Sequence, residues 1–398
     1  MKKILVYMTF FIVLFYEESA SAAETLLQPM IDATAPYDTI TLQEGTYYGP
    51  AVIPHPLTIE GEGDVIIQGN FEGDVLTIES DRVHIKNVTI RQSGQQLEDA
   101  GILVQHANEV SVDHVQLEDV QRGIFIRGGF GHTLSNNKIT SFPVHYSKRG
   151  NGIHLLNTKR ALVTHNTIDA VQDGVYVDEA FDTAIEHNRV EHSRYGIHFM
   201  FSSNADAHHN TLTENVNGVM AMNSNDIQLI NNALTHQLTY RGYGILIYDM
   251  ESMRIEHNTI SNNHNGIDIQ SSRGIEVVDN TIAGNYVGLS SKGKNESIQI
   301  TENDWLANIV QTKLSGEAVQ LERNYWDDYK GFDLTGNGIG QLPYETNSTT
   351  TDWMVKHPHL QFYFESPAFN LWNTVERMFN RGQVVTDEQP LVRRKGEQ

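Results

Sequence analysis

Along most of the chain, apolar and polar residues alternate one by one, and the alternation restarts at regular intervals. A glycine followed by an apolar side chain at its first position and, in all but the last case, at its third recurs at Gly101, Gly123, Gly152, Gly174, Gly196, Gly218, Gly244, Gly266 and Gly288, in steps of 22, 29, 22, 22, 22, 26, 22 and 22 residues. A second column, Asn166, Asn188, Asn210, Asn232, Asn258 and Asn280, steps by 22, 22, 22, 26 and 22. Both columns take the 26-residue step between Gly218 and Gly244. Alternation with a period of two predicts strands, and 22 residues hold about three short strands separated by turns. Such a unit is one rung of a right-handed parallel β-helix, with rungs stacked at about 4.8 Å; about twelve of them give an axis near 58 Å. The leucine-rich repeat shares this period but needs a Leu-x-x-Leu-x-Leu register, absent here. The Asn column is expected at left-handed turn positions, its amides bonding from rung to rung. The Gly column is expected to mark a turn that opens each strand.

The fold class expected is therefore all-β, a parallel β-helix over residues 37–330, with weaker early rungs such as residues 83–90. Exposed strand edges at both ends need caps. Residues 23–36, with Leu26, Leu27, Met30 and Ile31, predict an N-terminal cap helix. Residues 331–379 read as a partly helical cap or docking extension rich in aromatics, and the polar residues 380–398 as a disordered tail. Ahead of all this, Lys2 and Lys3, a 13-residue apolar run and Ala20-Ser21-Ala22 form the pattern of a signal peptide over residues 1–22, cleaved after Ala22. The run is shorter than the roughly 20 residues a membrane span requires, so the mature protein is expected outside the cytoplasmic membrane.

Composition narrows the chemistry. With 28 basic and 50 acidic residues the net charge is −22, which argues against a general nucleic-acid partner. There is no cysteine, so thiolate metal sites, disulfides and a cysteine nucleophile are excluded.

Register assigns faces. If the residues one and three after each glycine point inward, those two and four after it point outward. The first outward column reads Phe125, His154, Tyr176, His198, Met220, Leu246, Asp268, and the second Arg127, Leu156, Asp178, Met200, Met222, Tyr248, Gln270. His198, Met200, Met220 and Met222 thus converge on one patch, with Met250 just past the next strand and His154 two rungs back. Methionine normally fills cores. An outward Met/His patch reads either as an adaptable docking surface or as a soft-metal site, since thioether with imidazole selects Cu(I). The column His165, His187, His209, His257 reads as turn or stacking residues rather than ligands. The loop from Asp333 to Gly340 has some calcium-loop character but lacks a closing carboxylate. Polysaccharide-binding or polysaccharide-cleaving activity, common on secreted β-helices, is the alternative. Cleavage needs carboxylates about 5–9.5 Å apart, whereas Asp178 and Asp268 lie four rungs apart. An adhesive stalk is a third reading and gives the Met/His patch no purpose.

The segment Arg194-Tyr195-Gly196-Ile197-His198-Phe199-Met200-Phe201-Ser202 resembles the Arg-Tyr-Gly-x-His-Phe-Met-x-Ser motif of the NosD family, periplasmic β-helix proteins of nitrous oxide reductase maturation. Residues 241–246, 323–329 and 338–344 are also similar to that family, and the resemblance runs through nearly the whole mature chain. Thr335 and Asn337 depart from a family loop richer in Asp, as does the rung at residues 175–180. The resemblance implies a non-catalytic accessory protein. It implies work with the permease and ATPase of an ABC transporter and with a copper chaperone, and transient Cu(I) handling for the copper–sulfur centre of nitrous oxide reductase. It favours the soft-metal reading, with His198, Met200, Met220 and Met222 as ligands and Met250 and His154 as ligands on the way in or out.

Overall fold

The computed structural model describes residues 25–237, 242–314, 318–346 and 385–395, with isolated positions between 353 and 375. The predicted signal peptide lies outside the described residues, as does about half of the aromatic extension. The architecture is the expected right-handed parallel β-helix. A typical central coil carries a six-residue strand, a turn, a second strand, a turn and a third short strand, as in Tyr195–Met200, Ser203–His208 and Thr211–Thr213. The first strands of successive coils form a 12-stranded parallel sheet, and the others a second, 27-stranded sheet. Most pairings join residues 22 apart: Tyr176 with His198, His198 with Met220, Met200 with Met222.

The alternation has its physical cause in the narrow coil interior. Inward residues such as Ile197, Phe199, Ile245 and Ile267 are fully buried, and one continuous apolar core runs the length of the helix. The glycines are where this interior is tightest. A Cβ at Gly174 would lie 2.3 Å from Val190 Cγ1 and 2.5 Å from the Gly196 carbonyl oxygen. These column glycines do not have positive φ, so they are set by close packing within the strand, not by the turn the sequence suggests.

The turns show a second shift of assignment. The left-handed residue is the one before each asparagine: His165, His187, His209 and His257 have φ of 57°, 55°, 56° and 56°. The asparagines point inward. Asn188 Oδ1 accepts the backbone N–H and the side-chain amide of Asn166, both at 2.9 Å, and the pattern continues through Asn210, Asn232, Asn258, Asn280, Asn303 and Asn324. Buried turn amides thus find partners, without which each would cost about 1–3 kcal/mol.

The ends differ from expectation. The N-terminal cap helix spans only Gln28–Ala33, with Pro29 in its first turn, because Thr25 and Leu26 pair with Tyr47 and Tyr48 instead. The tail expected to be disordered is ordered over residues 385–395. Thr386–Asp387 forms a strand against Leu321 and Tyr344–Glu345. Asp387, fully buried, accepts from the backbone and side-chain N–H of Asn324 at 3.0 and 3.1 Å and from Trp326 Nε1 at 3.2 Å. A polar tail is ordered because the last rung leaves donors that need an acceptor.

Candidate functional site

The candidate patch lies on the outer face of the 12-stranded sheet, and stacking makes it far less exposed than an outward face suggests. Phe125, His154, Tyr176 and His198 form a ring stack with centroid spacings of 4.6 Å at each step. Met220 follows His198 in register, and the two are 9% and 7% exposed. Tyr195 stands edge-on to His198 at 5.0 Å.

His198 is held by a carboxylate that sequence reasoning missed. Its Nδ1 lies 3.0 Å from Asp173 Oδ2. Arg194 grips the same carboxylate through Nε to Oδ1 at 2.8 Å and Nη2 to Oδ2 at 2.7 Å. Burial pushes the Asp173 carboxyl up, but the hydrogen bonds from His198 and Arg194 outweigh it and hold the group below the usual carboxylate range. An ionised Asp173 is acceptor-only, so Nδ1 carries the proton and, in the neutral ring, Nε2 presents its lone pair. Among the described residues, Nε2 is buried with no hydrogen-bond partner. A carboxylate fixing one ring nitrogen while the other stays available is the arrangement around metal-ligating histidines.

The methionines sit in register with this lone pair. Met200 is beside Met222, and Met220 beside His198. Adjacent rungs are about 4.8 Å apart, and the two outward positions of one strand about 6.6 Å. A methionine with three rotatable bonds spans such gaps to converge on one ion. Tyr176 Oη donates to Met200 Sδ at 3.2 Å. Burial pushes the Tyr176 phenol up, so it stays a donor.

Of the two residues expected as ligands on the way in or out, Met250 lies off this face. Met250 is 2% exposed and belongs to the apolar core of the coil. It occupies the inward turn column of Ser202 and Ser224, its N–H donating to Ser272 Oγ at 3.0 Å as Ser202 N–H does to Ser224. It is therefore not an outward ligand. His154 is on the correct face, but the Tyr176 ring lies between it and His198. Metal–nitrogen bonds of about 2.0–2.1 Å cannot reach both rings, so one ion is not shared between them. Burial pushes the His154 imidazole down.

Of the remaining motifs, the Asp333 carboxylate is occupied by its own loop. It accepts the N–H groups of Thr335, Gly336 and Gly338 at 2.9, 2.7 and 2.8 Å. The missed residues Asp173 and Tyr195 belong to a third outward column, one residue before each glycine. Arg122, Asn151, Asn217 and Asn265 continue it, and its polar character is the signal that identifies it. The 29-residue step leaves room for a loop with a short helical turn, Tyr146–Lys148, ahead of this column.

A family described as "Periplasmic copper-binding protein (NosD)" matches residues 135–338. Proteins named "Probable ABC transporter binding protein NosD" are similar over most of their length. The one from Pseudomonas aeruginosa is 29% identical over 89% of this chain and 88% of its own. The one from Stutzerimonas stutzeri is 27% identical over 88% and 86%. Among solved structures, the mannuronan C-5 epimerase AlgE4 A-module of Azotobacter vinelandii aligns with a TM-score of 0.54 at 13% identity, covering 71% of this chain and 90% of that one. The Streptococcus pneumoniae surface adhesin PfbA aligns at 0.53 and 12%, covering 78% and 89%. At such identities an epimerase and an adhesin share only the fold. The matched family region contains the whole Met/His face, and the chain belongs to the NosD family of periplasmic copper-binding proteins.

Proposed function

We propose that this protein is a non-catalytic extracytoplasmic carrier that accepts Cu(I) at His198, Met200, Met220 and Met222 and passes it on for assembly of the copper–sulfur centre of nitrous oxide reductase. The observation that carries this reading is the buried, unpartnered Nε2 of His198, its ring fixed by Asp173, in register with soft thioethers. Neutral thioethers hold Cu(I) more weakly than thiolates and discriminate against calcium and other hard cations, which suits an ion that must leave again. The relatives named as ABC transporter binding proteins support work beside a transporter. Its permease and ATPase, together with a copper chaperone, complete the proposed route. Leu371 and Trp372, 66% and 50% exposed, belong to the extension proposed to dock on the permease. Cleavage after Ala22 delivers the carrier to that side of the membrane.

A non-catalytic role agrees with the carboxylates of the face. Asp173 is engaged by Arg194, and Asp268 Oδ2 by Lys292 at 3.1 Å, so each of these carboxylates is paired with a cation. The test is maturation of the reductase in cells carrying His198→Ala. The reading expects an apo-like reductase although the variant is exported and folded; full maturation would overturn it.

A further inference from the structure

A second cluster of metal-ligating groups lies on the other sheet, at the turn where the histidine column stands. His187, His208 and His209 bring one ring nitrogen each to within 4.8 Å of one another. The backbone causes this. His187 and His209 are the left-handed residues of successive turns, and their rings stack at 5.0 Å. His208 ends the strand Ser203–His208 and stands nearly perpendicular to both, at 87° and 88°. Its edge is therefore presented to the stack.

One pair of these nitrogens already has the spacing of two ligands to one ion, and the His187 nitrogen lies within 4.8 Å of both. His208 Nδ1 and His209 Nδ1 are 3.2 Å apart. Two nitrogens bound tetrahedrally at 2.0–2.1 Å would be about 3.3 Å apart. The other nitrogen of His208, Nε2, is 3.1 Å from Glu186 Oε2. Nε2–H donating to that carboxylate leaves Nδ1 as the lone-pair atom facing His209, the arrangement that orients a metal-bound imidazole. Without a metal, His209 Nδ1–H donates to His208 Nδ1; with one, the ion takes the place of that proton. Imidazoles with no thioether among them suit a borderline divalent ion, and a three-histidine set leaves a position open for exchange.

We infer that His187, His208 and His209, with Glu186 orienting His208, form a binding site for a divalent transition ion, Zn2+ or Cu2+, separate from the Met/His patch. This site is independent of the Cu(I) proposal, because the two share no residue and lie on different sheets.

The experiment is calorimetric Zn2+ titration of the full chain, with nitrogen hyperfine structure of added Cu2+ as a second readout. His187→Asn and His209→Asn preserve the turn, since Asn136 and Asn231 already hold that left-handed position. His208→Thr uses a residue that the same column carries at Thr164. The triple variant is expected to lose saturable Zn2+ binding and the multi-nitrogen Cu2+ signal. Glu186→Gln is expected to weaken binding about 10–100-fold. Met200→Leu/Met222→Leu is expected to bind Zn2+ as wild type does. Absence of saturable Zn2+ binding in the wild type, unchanged binding in the triple variant, or loss of binding in the methionine variant would each overturn the assignment.

Discussion

His198 donates Nδ1–H to Asp173 Oδ2 across 3.0 Å, from one rung to the one before it. That contact sets which nitrogen of His198 is available, and removing the carboxylate also strips the guanidinium of Arg194 of its counter-charge. Asp173→Ala is therefore expected to cost about 3 kcal/mol of stability, the lower end of the cost of breaking a buried pair, because Arg194 retains partial access to solvent. Denaturant unfolding measures this. The pH dependence has a definite sign. Asp173 has a folded-state pKa below its unfolded value, so its contribution is complete above about pH 4 and is lost as pH falls through the folded value. Asp173→Asn should abolish that acid-side dependence.

His154 shows the opposite chemistry in the same stack. Burial lowers its folded-state pKa, so below about pH 6.5 the unfolded chain takes up its proton first, and stability declines as pH falls from there. His154→Phe continues the stack begun by Phe125. It should reduce the loss of stability between about pH 7 and 5 while leaving Cu(I) affinity unchanged. A large fall in Cu(I) affinity would place His154 in the site.

The glycine column makes a packing prediction. Gly174→Ala puts a methyl group 2.3 Å from Val190 Cγ1, and the interior cannot widen without parting two rungs. About 1–3 kcal/mol of destabilisation is expected, seen as a lower melting temperature with an unchanged β spectrum. A neutral effect would mean that the coil is looser than its geometry indicates.

Asp387 makes a prediction about the tail. Asp387→Ala leaves the Asn324 backbone N–H and the Trp326 Nε1–H buried without their acceptor, at about 1–3 kcal/mol. Truncation after residue 384 should do at least as much damage, read by melting temperature and by hydrogen exchange of the last rung.

The fold and the two outward columns are legible in the amino-acid order itself, because alternation and spacing are local and recur. What stays hidden there depends on a break in that alternation. At Gly174, both the glycine and Val175 face the interior, so Asp173 lies outward where strict counting puts it inward. Counting misplaces Met250 for a related reason: past the strand end, the turn carries the chain back inside. The role of Asp387 is invisible in sequence because its partner, Asn324, is 63 residues away. Spacing identifies the turn histidines as stacking residues, but the approach of His208 to them depends on a ring orientation that spacing does not encode.

Anaerobic Cu(I) titration against a competing chelator, comparing wild type with Met200→Leu/Met222→Leu, separates a thioether copper site from a docking surface. Leucine conserves volume and apolarity, so a docking surface tolerates the change and a thioether site does not. Saturable Cu(I) binding by the wild type is expected, with at least a roughly tenfold weaker affinity in the folded double variant. Equal affinity in the two proteins would contradict the thioether copper site.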